Sequence, residues 1–215
     1  MTAAQNLTQA RGETVFIVDD DEAMRDSLTW LLEGNGYQVR SFASAEQFLA
    51  AYDAGQVSCL ILDVRMPGMS GPELQERMIA ENIHLPIVFI TGHGDVPMAV
   101  STMKKGAIDF IEKPFDESEL RSLVERMLQK ARADHSAARE QRAAQDLLGK
   151  LTTREQQVLE RIVAGRLNKQ IADDLGISIK TVEAHRANIM EKLNVNTVAD
   201  LLRLALSHKG GEAAQ

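Results

Sequence analysis

The sequence contains little cysteine and no long apolar run. Its single cysteine, Cys59, excludes an internal disulfide and a cysteine-based zinc site, and its place inside an apolar segment predicts a core thiol without a chemical role. No uninterrupted apolar stretch approaches the length of a membrane span, and the first residues, MTAAQNLTQARGE, lack the apolar segment of a secretory signal. These absences lead us to expect a cytoplasmic protein that does not act at a membrane.

Positive charge is scarce in the front part of the chain. The 215 residues carry a formal net charge of −7, yet residues 1–149 hold 14 Lys and Arg against 23 Asp and Glu, whereas residues 150–209 hold 10 against 7. An acidic front part joined to a mildly basic back part fits a protein whose C-terminal module approaches nucleic acid. A solvated helical domain can show the same balance, so charge alone does not decide the matter.

The first 128 residues alternate between short apolar runs and helical patterns. Most of the apolar runs are continuous, which is typical of strands covered on both faces. The first helical pattern is DEAMRDSLTWLLEGNG, in which Gly34 and Gly36 are stop signals. We predict strands at 14–18, 37–40, 57–62, 86–90 and 107–111, and further helices at 44–52, 71–80, 95–105 and 116–128. This alternation predicts an α/β domain built on a parallel sheet.

Carboxylates follow two of the predicted strands at the point where each strand ends. Asp19, Asp20 and Asp21 follow TVFIV, and CLIL ends on Asp63. An acidic residue is also common where a chain simply turns. In a parallel sheet, however, ligands bind beyond the carboxyl ends of the strands, so Asp19, Asp20 and Asp63 lie where a site is expected.

Converging carboxylates repel one another and therefore require a positive partner. Hard oxygen ligands select Mg²⁺ (or Mn²⁺), with Asp20 and Asp63 as the expected direct ligands. Thr91 follows the fourth predicted strand and Lys113 the fifth, and a hydroxyl and an ammonium both suit phosphoryl oxygens. A nucleophilic aspartate, a hydroxyl, a lysine and a metal are the parts needed to form an acyl phosphate on Asp63.

Residues 13–128 resemble the receiver domain of two-component response regulators, because five strand-end motifs occur in the family's order. The resemblance implies a flavodoxin-like, doubly wound five-stranded domain that accepts a phosphoryl group from a histidine kinase on Asp63. It also implies phosphate contacts from Thr91 and Lys113, a cis bond before Pro114, and Mg²⁺ held by Asp19, Asp20, Asp63 and the Arg65 carbonyl. The implied reactions are only Mg²⁺-dependent self-phosphorylation and slow self-dephosphorylation, so we do not expect an enzyme.

Two alternatives concern this region. Phe110 occupies the place of the family's aromatic switch, which is thought to turn inward when Thr91 is drawn to the phosphate, but a core aromatic that never moves would occupy the same place. The haloacid-dehalogenase phosphatases also place a nucleophilic aspartate at a strand end. They need a second aspartate two residues later, where this sequence has Arg65. The sequence therefore disfavours an independent hydrolase.

Large apolar residues disappear after Leu128. The segment 129–146, QKARADHSAAREQRAAQD, is rich in Ala, Arg and Gln and predicts a solvated helical linker of roughly 27 Å that continues the last receiver helix. Apolar periodicity returns at Leu147, and the tail predicts four short helices. The first is capped by Thr152 or Thr153, the second spans about 168–175, and the third spans about 179–193.

A helix, a tight turn at Gly176 and a second helix capped by Ser178 form the helix-turn-helix pattern, although any small helical bundle can mimic it. NKQIADDLGIS and KTVEAHRANIMEKL are more particular and resemble the LuxR-type DNA-binding domain across residues 148–207. By that resemblance the third helix enters the major groove of double-stranded DNA. The candidate DNA contacts are Asn168, Lys169, Lys180, Thr181, Glu183, His185 and Arg186.

The roles of these contacts differ in kind. Lys169 and Arg186 suit phosphates. Glu183 either accepts a hydrogen bond from a cytosine amino group or merely orients a basic neighbour. His185 is either a backbone contact or a packed residue between helices. The residues expected to face inward are Val182, Ile189, Met190 and Leu193.

Both halves together resemble the FixJ subgroup of the NarL/FixJ response regulators, which implies a phosphorylation-controlled transcription factor, an activator. The implied partners are a histidine kinase, promoter DNA, RNA polymerase and a second copy that pairs through the fourth and fifth receiver elements. A protein-interaction relay whose tail docks on another regulator is the alternative. We predict a flexible N-terminus at 1–12, a receiver at 13–128, a linker at 129–146, a DNA-binding domain at 147–208 and a flexible C-terminus at 209–215.

Overall fold

The computed structural model describes residues 13–92 and 96–209. The chain divides into two compact units, Met1–His135 and Ser136–Gln215. Flexible termini are predicted at 1–12 and 209–215. Residues 1–12 and 210–215 lie outside the described residues, whereas Lys209 is the last residue of a helix. No helix in the described ranges is both long and apolar enough to cross a membrane.

The first unit is an α/β domain with a five-stranded parallel sheet in the order β2-β1-β3-β4-β5. The strands are β1 (Glu13–Val18), β2 (Gln38–Phe42), β3 (Val57–Asp63), β4 (Ile87–Thr91) and β5 (Asp109–Glu112). The helices are α1 (Glu22–Gly34), α2 (Ala45–Ala51), α3 (Gly71–Ala80), α4 (Val96–Lys104) and α5 (Glu117–Leu148). The predicted doubly wound architecture is confirmed, and each strand boundary agrees with the prediction to within two residues.

Alternate side chains of the central strands build a separate core on each face of the sheet. Val15 and Ile17 of β1 belong to one cluster, which α1 and α5 complete. Phe16 and Val18 belong to the other, which α2 and α3 complete with Phe48 and other apolar side chains. Because both faces are covered, β1, β3 and β4 are buried along nearly their whole length, and this burial explains their continuous apolar runs.

Strand β2 lies at the edge of the sheet and is covered less completely. Val39 and Phe42 are half-buried, whereas Gln38, Arg40 and Ser41 are exposed. Its sequence, QVRSF, accordingly lacks the continuous apolar run of the central strands. This arrangement also explains why the predicted strand, at 37–40, is displaced from the observed one.

Helix α5 extends far beyond the receiver core. It is one continuous helix of 32 residues and includes the whole segment 129–146, so the predicted helical structure of that segment is confirmed. Within the first unit, Arg132 donates to Glu13 at 2.9 Å and to Glu125 at 2.7 Å. The pair with Glu13 connects the middle of α5 to the first residue of β1, whereas the pair with Glu125 lies within α5.

The second unit contains four short helices, as predicted, after the end of α5. They are α6 (Thr153–Val163), α7 (Asn168–Leu175), α8 (Ile179–Lys192) and α9 (Val198–Lys209). Thr152 caps α6 and Ser178 caps α8, while Gly176 ends α7 with a left-handed φ of 65°. Val158, Ile171, Val182, Ile189 and Leu201 are among the side chains that form its core.

Candidate functional site

The strand register brings the predicted receiver residues to one edge of the sheet. Val18 pairs with Leu62 and Ile90 with Asp63, so β1, β3 and β4 end at nearly the same level. Asp19 directly follows β1, whereas Asp63 and Thr91 are the last residues of β3 and β4. Lys113 directly follows β5. The carboxyl ends of four neighbouring strands thus carry four polar residues, as the alternation of strands and helices predicts.

Lys113 joins the two buried aspartates of this edge. Its Nζ donates to Oδ2 of Asp19 and to Oδ1 of Asp63, at 2.9 Å in both cases. Asp19 is 3% exposed and Asp63 is 8% exposed, so the charges meet in a partly desolvated place. The ammonium supplies the positive partner that converging carboxylates require.

Burial and charge pull the pKa values in this site in opposite directions. Burial raises the pKa of Asp19 above its ordinary value, although the hydrogen bond from Lys113 and that from the Asp21 amide favour the ionised form. Burial by itself would lower the pKa of Lys113, but the hydrogen bonds to Asp63 and Asp19 outweigh it and raise that pKa. Lys113 is therefore held firmly in its charged form.

The Asp63 carboxylate is oriented by two different donors. Oδ1 accepts from Lys113, and Oδ2 accepts from the main-chain N–H of Arg65 at 2.8 Å. The loop that follows is closed by a hydrogen bond of 3.1 Å from the Gly71 N–H to the Val64 carbonyl. A Cβ on Gly71 would lie 2.2 Å from the Asp63 carbonyl oxygen, so α3 packs directly against the end of β3. Only a glycine permits this approach.

Thr91 and Phe110 lie on neighbouring strands next to this edge. Thr91 is 2% exposed, and its carbonyl accepts from the Lys113 N–H at 2.7 Å. Phe110 pairs in register with Phe89 and is half-buried against the cluster that contains Phe89. Whether Phe110 is a switch or a static core residue stays a prediction. The predicted cis bond between Lys113 and Pro114 is confirmed.

The donor set suits a small, hard cation that keeps part of its water. No group of three or more His, Cys, Asp or Glu side chains forms a metal-binding cluster within the described ranges, so a cage made only of protein side chains is not built there. Mg²⁺ does not need one, because it usually binds one or two carboxylates and retains several waters. Asp19 and Asp63 lie together on Lys113, and the exposed Asp20 carboxylate accepts no hydrogen bond within the described part of the chain. These residues fit Mg²⁺.

The sequence interpretation missed Arg25, a half-buried residue of α1. Its Nη1 donates to the Asp19 carbonyl at 2.8 Å and to the Asp20 carbonyl at 3.0 Å. The same turn is closed by the Asp21 N–H, which donates to Oδ1 of Asp19 at 2.9 Å. An arginine early in a helix is common, and no spacing rule indicates that it will reach main-chain carbonyls, so the sequence carried no clear signal for this role.

The helical unit presents most of the predicted DNA contacts on its surface. Helix α7, the turn at Gly176 and helix α8 form the expected helix-turn-helix. Exposed residues among the candidates are Lys169, Lys180, Thr181 and Glu183, whereas Asn168, His185 and Arg186 are half-buried. Val182, Ile189 and Leu193 are buried and Met190 is half-buried in the core of the unit, as predicted.

A buried carboxylate connects the first helix of this unit to the predicted reading helix. Glu155, 3% exposed, accepts from the Thr152 N–H at 2.7 Å and from Lys192 Nζ at 2.7 Å. The hydrogen bond from Lys192, together with that from Thr152, lowers the pKa of Glu155 to about 2. The sequence indicated the cap at Thr152 but gave no sign of the pairing with Lys192 at the end of α8.

Comparison with known proteins matches both units. The family model described as "Response regulator receiver domain" matches residues 15–125, and the one described as "Bacterial regulatory proteins, luxR family" matches residues 149–205. The transcriptional regulatory protein FixJ of Rhizobium meliloti is 48% identical over 197 residues, which are 90% of this chain and 95% of that protein. FixJ of Bradyrhizobium diazoefficiens is 44% identical over 195 residues, 89% of this chain and 94% of that protein.

Solved structures agree with this relationship. The response regulator StyR is 48% identical with a TM-score of 0.82, and the match covers 90% of this chain and 98% of that one. Full-length FixJ from B. japonicum is 43% identical with a TM-score of 0.55, and the match covers 91% of this chain and 97% of that one. An acidic, lysine-bridged sheet edge and a helix-turn-helix thus occur in one chain, and the matches to these relatives span both units. The chain belongs to the two-component response regulators that join a receiver domain to a LuxR-type DNA-binding domain, and it is homologous to the FixJ transcriptional regulators.

Proposed function

We propose that Asp63 is the residue that accepts the phosphoryl group, which a histidine kinase donates. The observation that carries the proposal is that both oxygens of its carboxylate accept hydrogen bonds, Oδ1 from Lys113 and Oδ2 from the Arg65 amide. These donors fix the nucleophile at the carboxyl edge of the sheet. There a carboxylate oxygen attacks the phosphorus of the kinase's phosphohistidine, and the acyl phosphate forms as the phosphorus–nitrogen bond to that histidine breaks. Lys113 is placed to neutralise negative charge on the phosphoryl oxygens as that bond forms.

In this proposal Mg²⁺ is held by Asp19, Asp20, Asp63 and the carbonyl of Arg65. When bound, the metal supplies positive charge that neutralises the transferred phosphoryl group. The protein's own part is to present carboxylates that are already oriented: Asp19 by the Asp21 amide at 2.9 Å and Asp63 by the Arg65 amide at 2.8 Å. Phosphorylation and slow loss of the phosphate are the only chemistry we assign to the chain.

We propose that Thr91 and Phe110 carry the signal from the phosphate to the face formed by α4 and β5. The buried position of Thr91, next to Lys113 and in register with β5, supports this route. Helix α4 carries three exposed apolar residues, Val96, Val100 and Met103, which we assign to that face. A second receiver pairs there after phosphorylation, which gives a homodimer with two DNA-binding units.

The predicted contacts on α7 and α8 then bind a promoter, with Lys169 and Arg186 on phosphates and Glu183 near base edges. Two linked units bind more tightly than one, because the second binding event is intramolecular. A regulator of this kind activates transcription through RNA polymerase. Since promoter DNA is its target, we expect the protein in the cytoplasm.

The test is the intact mass of the protein after incubation with acetyl phosphate and Mg²⁺. We expect wild type to gain one phosphoryl group and Asp63→Asn to gain none. Asp53→Asn is a matched control, because Asp53 is an exposed carboxylate of the same unit whose side chain accepts from the Gly55 amide. Undiminished labelling of Asp63→Asn would refute the assignment.

DNA binding is tested on the same samples by electrophoretic mobility shift with promoter fragments. Phosphorylated wild type should retard DNA at lower protein concentration than the unphosphorylated protein or Asp63→Asn. Absence of any retardation at low salt would favour the protein-interaction relay over a direct transcription factor.

A further inference from the structure

A single guanidinium nitrogen holds two successive carbonyls of the acidic turn. Arg25 lies in the first turns of α1, and its Nη1 donates to the carbonyl of Asp19 at 2.8 Å and to that of Asp20 at 3.0 Å. Both bonds carry a formal charge on the donor, which makes them stronger than bonds between neutral groups. The bond to the Asp19 carbonyl is partly buried, whereas the bond to the Asp20 carbonyl is exposed to water.

Other groups of this turn already have hydrogen-bond partners. The amide of Asp19 donates to Phe42 at 3.3 Å, and its Oδ1 accepts from Asp21 at 2.9 Å. The Asp21 carboxylate caps α1 by accepting from the amides of the second and third residues after it, at 2.9 and 3.4 Å. The Asp20 carboxylate has no such partner within the described ranges. The turn is thus fixed by several hydrogen bonds, and within the described ranges the Asp20 carboxylate is left without one.

We propose that Arg25 is a positioning residue of the phosphoryl-acceptor site, which fixes the Asp19–Asp20 backbone so that its carboxylates receive a divalent cation with little reorganisation. The inference rests on the proposed function of the site. Holding the metal-binding carboxylates in place before the cation binds lowers the conformational entropy that is lost on binding. Groups that orient metal ligands typically change metal affinity 10- to 100-fold when they are removed.

A purely electrostatic role for Arg25 makes the opposite prediction. A guanidinium so close to the acidic turn repels an incoming cation, so loss of its charge alone should strengthen cation binding. Loss of positioning should weaken it. The sign of the change in affinity for Arg25→Gln therefore distinguishes the two roles without any phosphoryl transfer.

The experiment measures binding of Mn²⁺ alone to the full-length protein, with the free ion counted by electron paramagnetic resonance. We expect Arg25→Gln to weaken binding about 10-fold. Arg25→Lys keeps the charge but is shorter and has no planar fork, so we expect a smaller loss, which reports geometry alone. Arg77→Gln is the matched control, because it removes the same charge from an exposed residue of α3 that pairs with Glu81, and it should bind as wild type does.

The outcomes separate the inference from the proposed function. If Asp63→Asn binds Mn²⁺ as tightly as wild type, the cation site itself is wrong. If Asp63→Asn weakens binding but Arg25→Gln and Arg25→Lys bind as tightly as wild type or more tightly, the site stands and the positioning role is refuted. Near-UV circular dichroism shows which variants are folded, and Arg25→Lys alone decides the matter if Arg25→Gln is not.

Discussion

Gly71→Ala tests how closely helix α3 approaches the end of strand β3. The new Cβ would lie 2.2 Å from the carbonyl oxygen of Asp63 and 3.1 Å from Cε1 of Phe89. Non-bonded heavy atoms make favourable contact at about 3.5 Å, so removing this clash requires a shift on the order of 1 Å in α3 or in the end of β3. The obstructing atom belongs to the main chain and cannot rotate away. Overpacking of this kind costs about 3 kcal/mol, which corresponds to a fall of roughly 10 °C in the melting temperature of a domain of this size.

Thermal melts followed by near-UV circular dichroism isolate the receiver, because no aromatic residue follows Phe115. Gly34→Ala is the matched control: it makes the same change at the end of α1, where a Cβ would meet nothing within 4 Å. Alanine also has the higher helix propensity, so that variant should melt at or slightly above the wild-type temperature. A Gly71→Ala melting temperature equal to that of Gly34→Ala would refute the close approach. We also expect slower labelling of Gly71→Ala by acetyl phosphate, because the displaced atom belongs to Asp63, the proposed phosphoryl acceptor.

Three further predictions follow from the two units. Lys113→Ala should leave phosphorylation possible but abolish phosphorylation-linked dimerisation in analytical ultracentrifugation with acetyl phosphate, and normal dimerisation of the variant would contradict the coupling role. The hydrogen bonds from Lys192 and Thr152 lower the pKa of Glu155 from 4.5 to about 2, so this carboxylate stabilises the fold fully above pH 4.5, and the contribution is lost as the pH falls toward 2. Urea titrations by far-UV circular dichroism over that pH range should show a smaller decrease in the free energy of unfolding for Glu155→Gln than for wild type. An equal decrease in both proteins would contradict the pairing. Lys169→Ala should weaken binding to all DNA sequences alike and lower the salt slope by roughly one unit. If Glu183 reads a base, Glu183→Ala should cost on the order of 1–3 kcal/mol of binding free energy at one base pair. An equal loss of affinity over all single-base variants of the site would instead make Glu183 an orienting residue.

The sequence was informative about the receiver edge because each signal was local. A continuous apolar run followed by an aspartate, a threonine or a lysine marks the end of a buried strand, and parallel strands place their carboxyl ends together. The positions of Asp19, Asp63 and Lys113 therefore followed from pattern and topology alone. The helix-turn-helix was equally local, since Gly176 and Ser178 mark the end of one helix and the start of the next.

The contacts that tighten each unit had no comparable signal. Arg132 reaches Glu13 across 119 positions of sequence, and Lys192 reaches Glu155 across 37. Such pairs depend on where two elements pack, and a basic residue on a helix surface has many acidic residues within possible reach. The contact of Gly71 with β3 is similarly hidden, because a glycine at a helix start is also an ordinary loop residue. Local patterns place the elements, whereas long-range pairs appear only once the packing is known.

Lys113 is bound to three strand ends at once, and this arrangement gives the proposed signal a physical route. Its Nζ is held by Asp19 and Asp63, both at 2.9 Å, while its own amide donates to the Thr91 carbonyl at 2.7 Å. A phosphoryl group on one carboxylate oxygen of Asp63 would add negatively charged oxygens beside Lys113. The ammonium would then divide its hydrogen bonds among more acceptors. Any shift of the Lys113 backbone then acts on β4 through Thr91 and on β5 through the chain that leads back to Phe110. In the proposed route, the side chain that neutralises the resting site would thus also make the α4 and β5 face sensitive to the charge on Asp63.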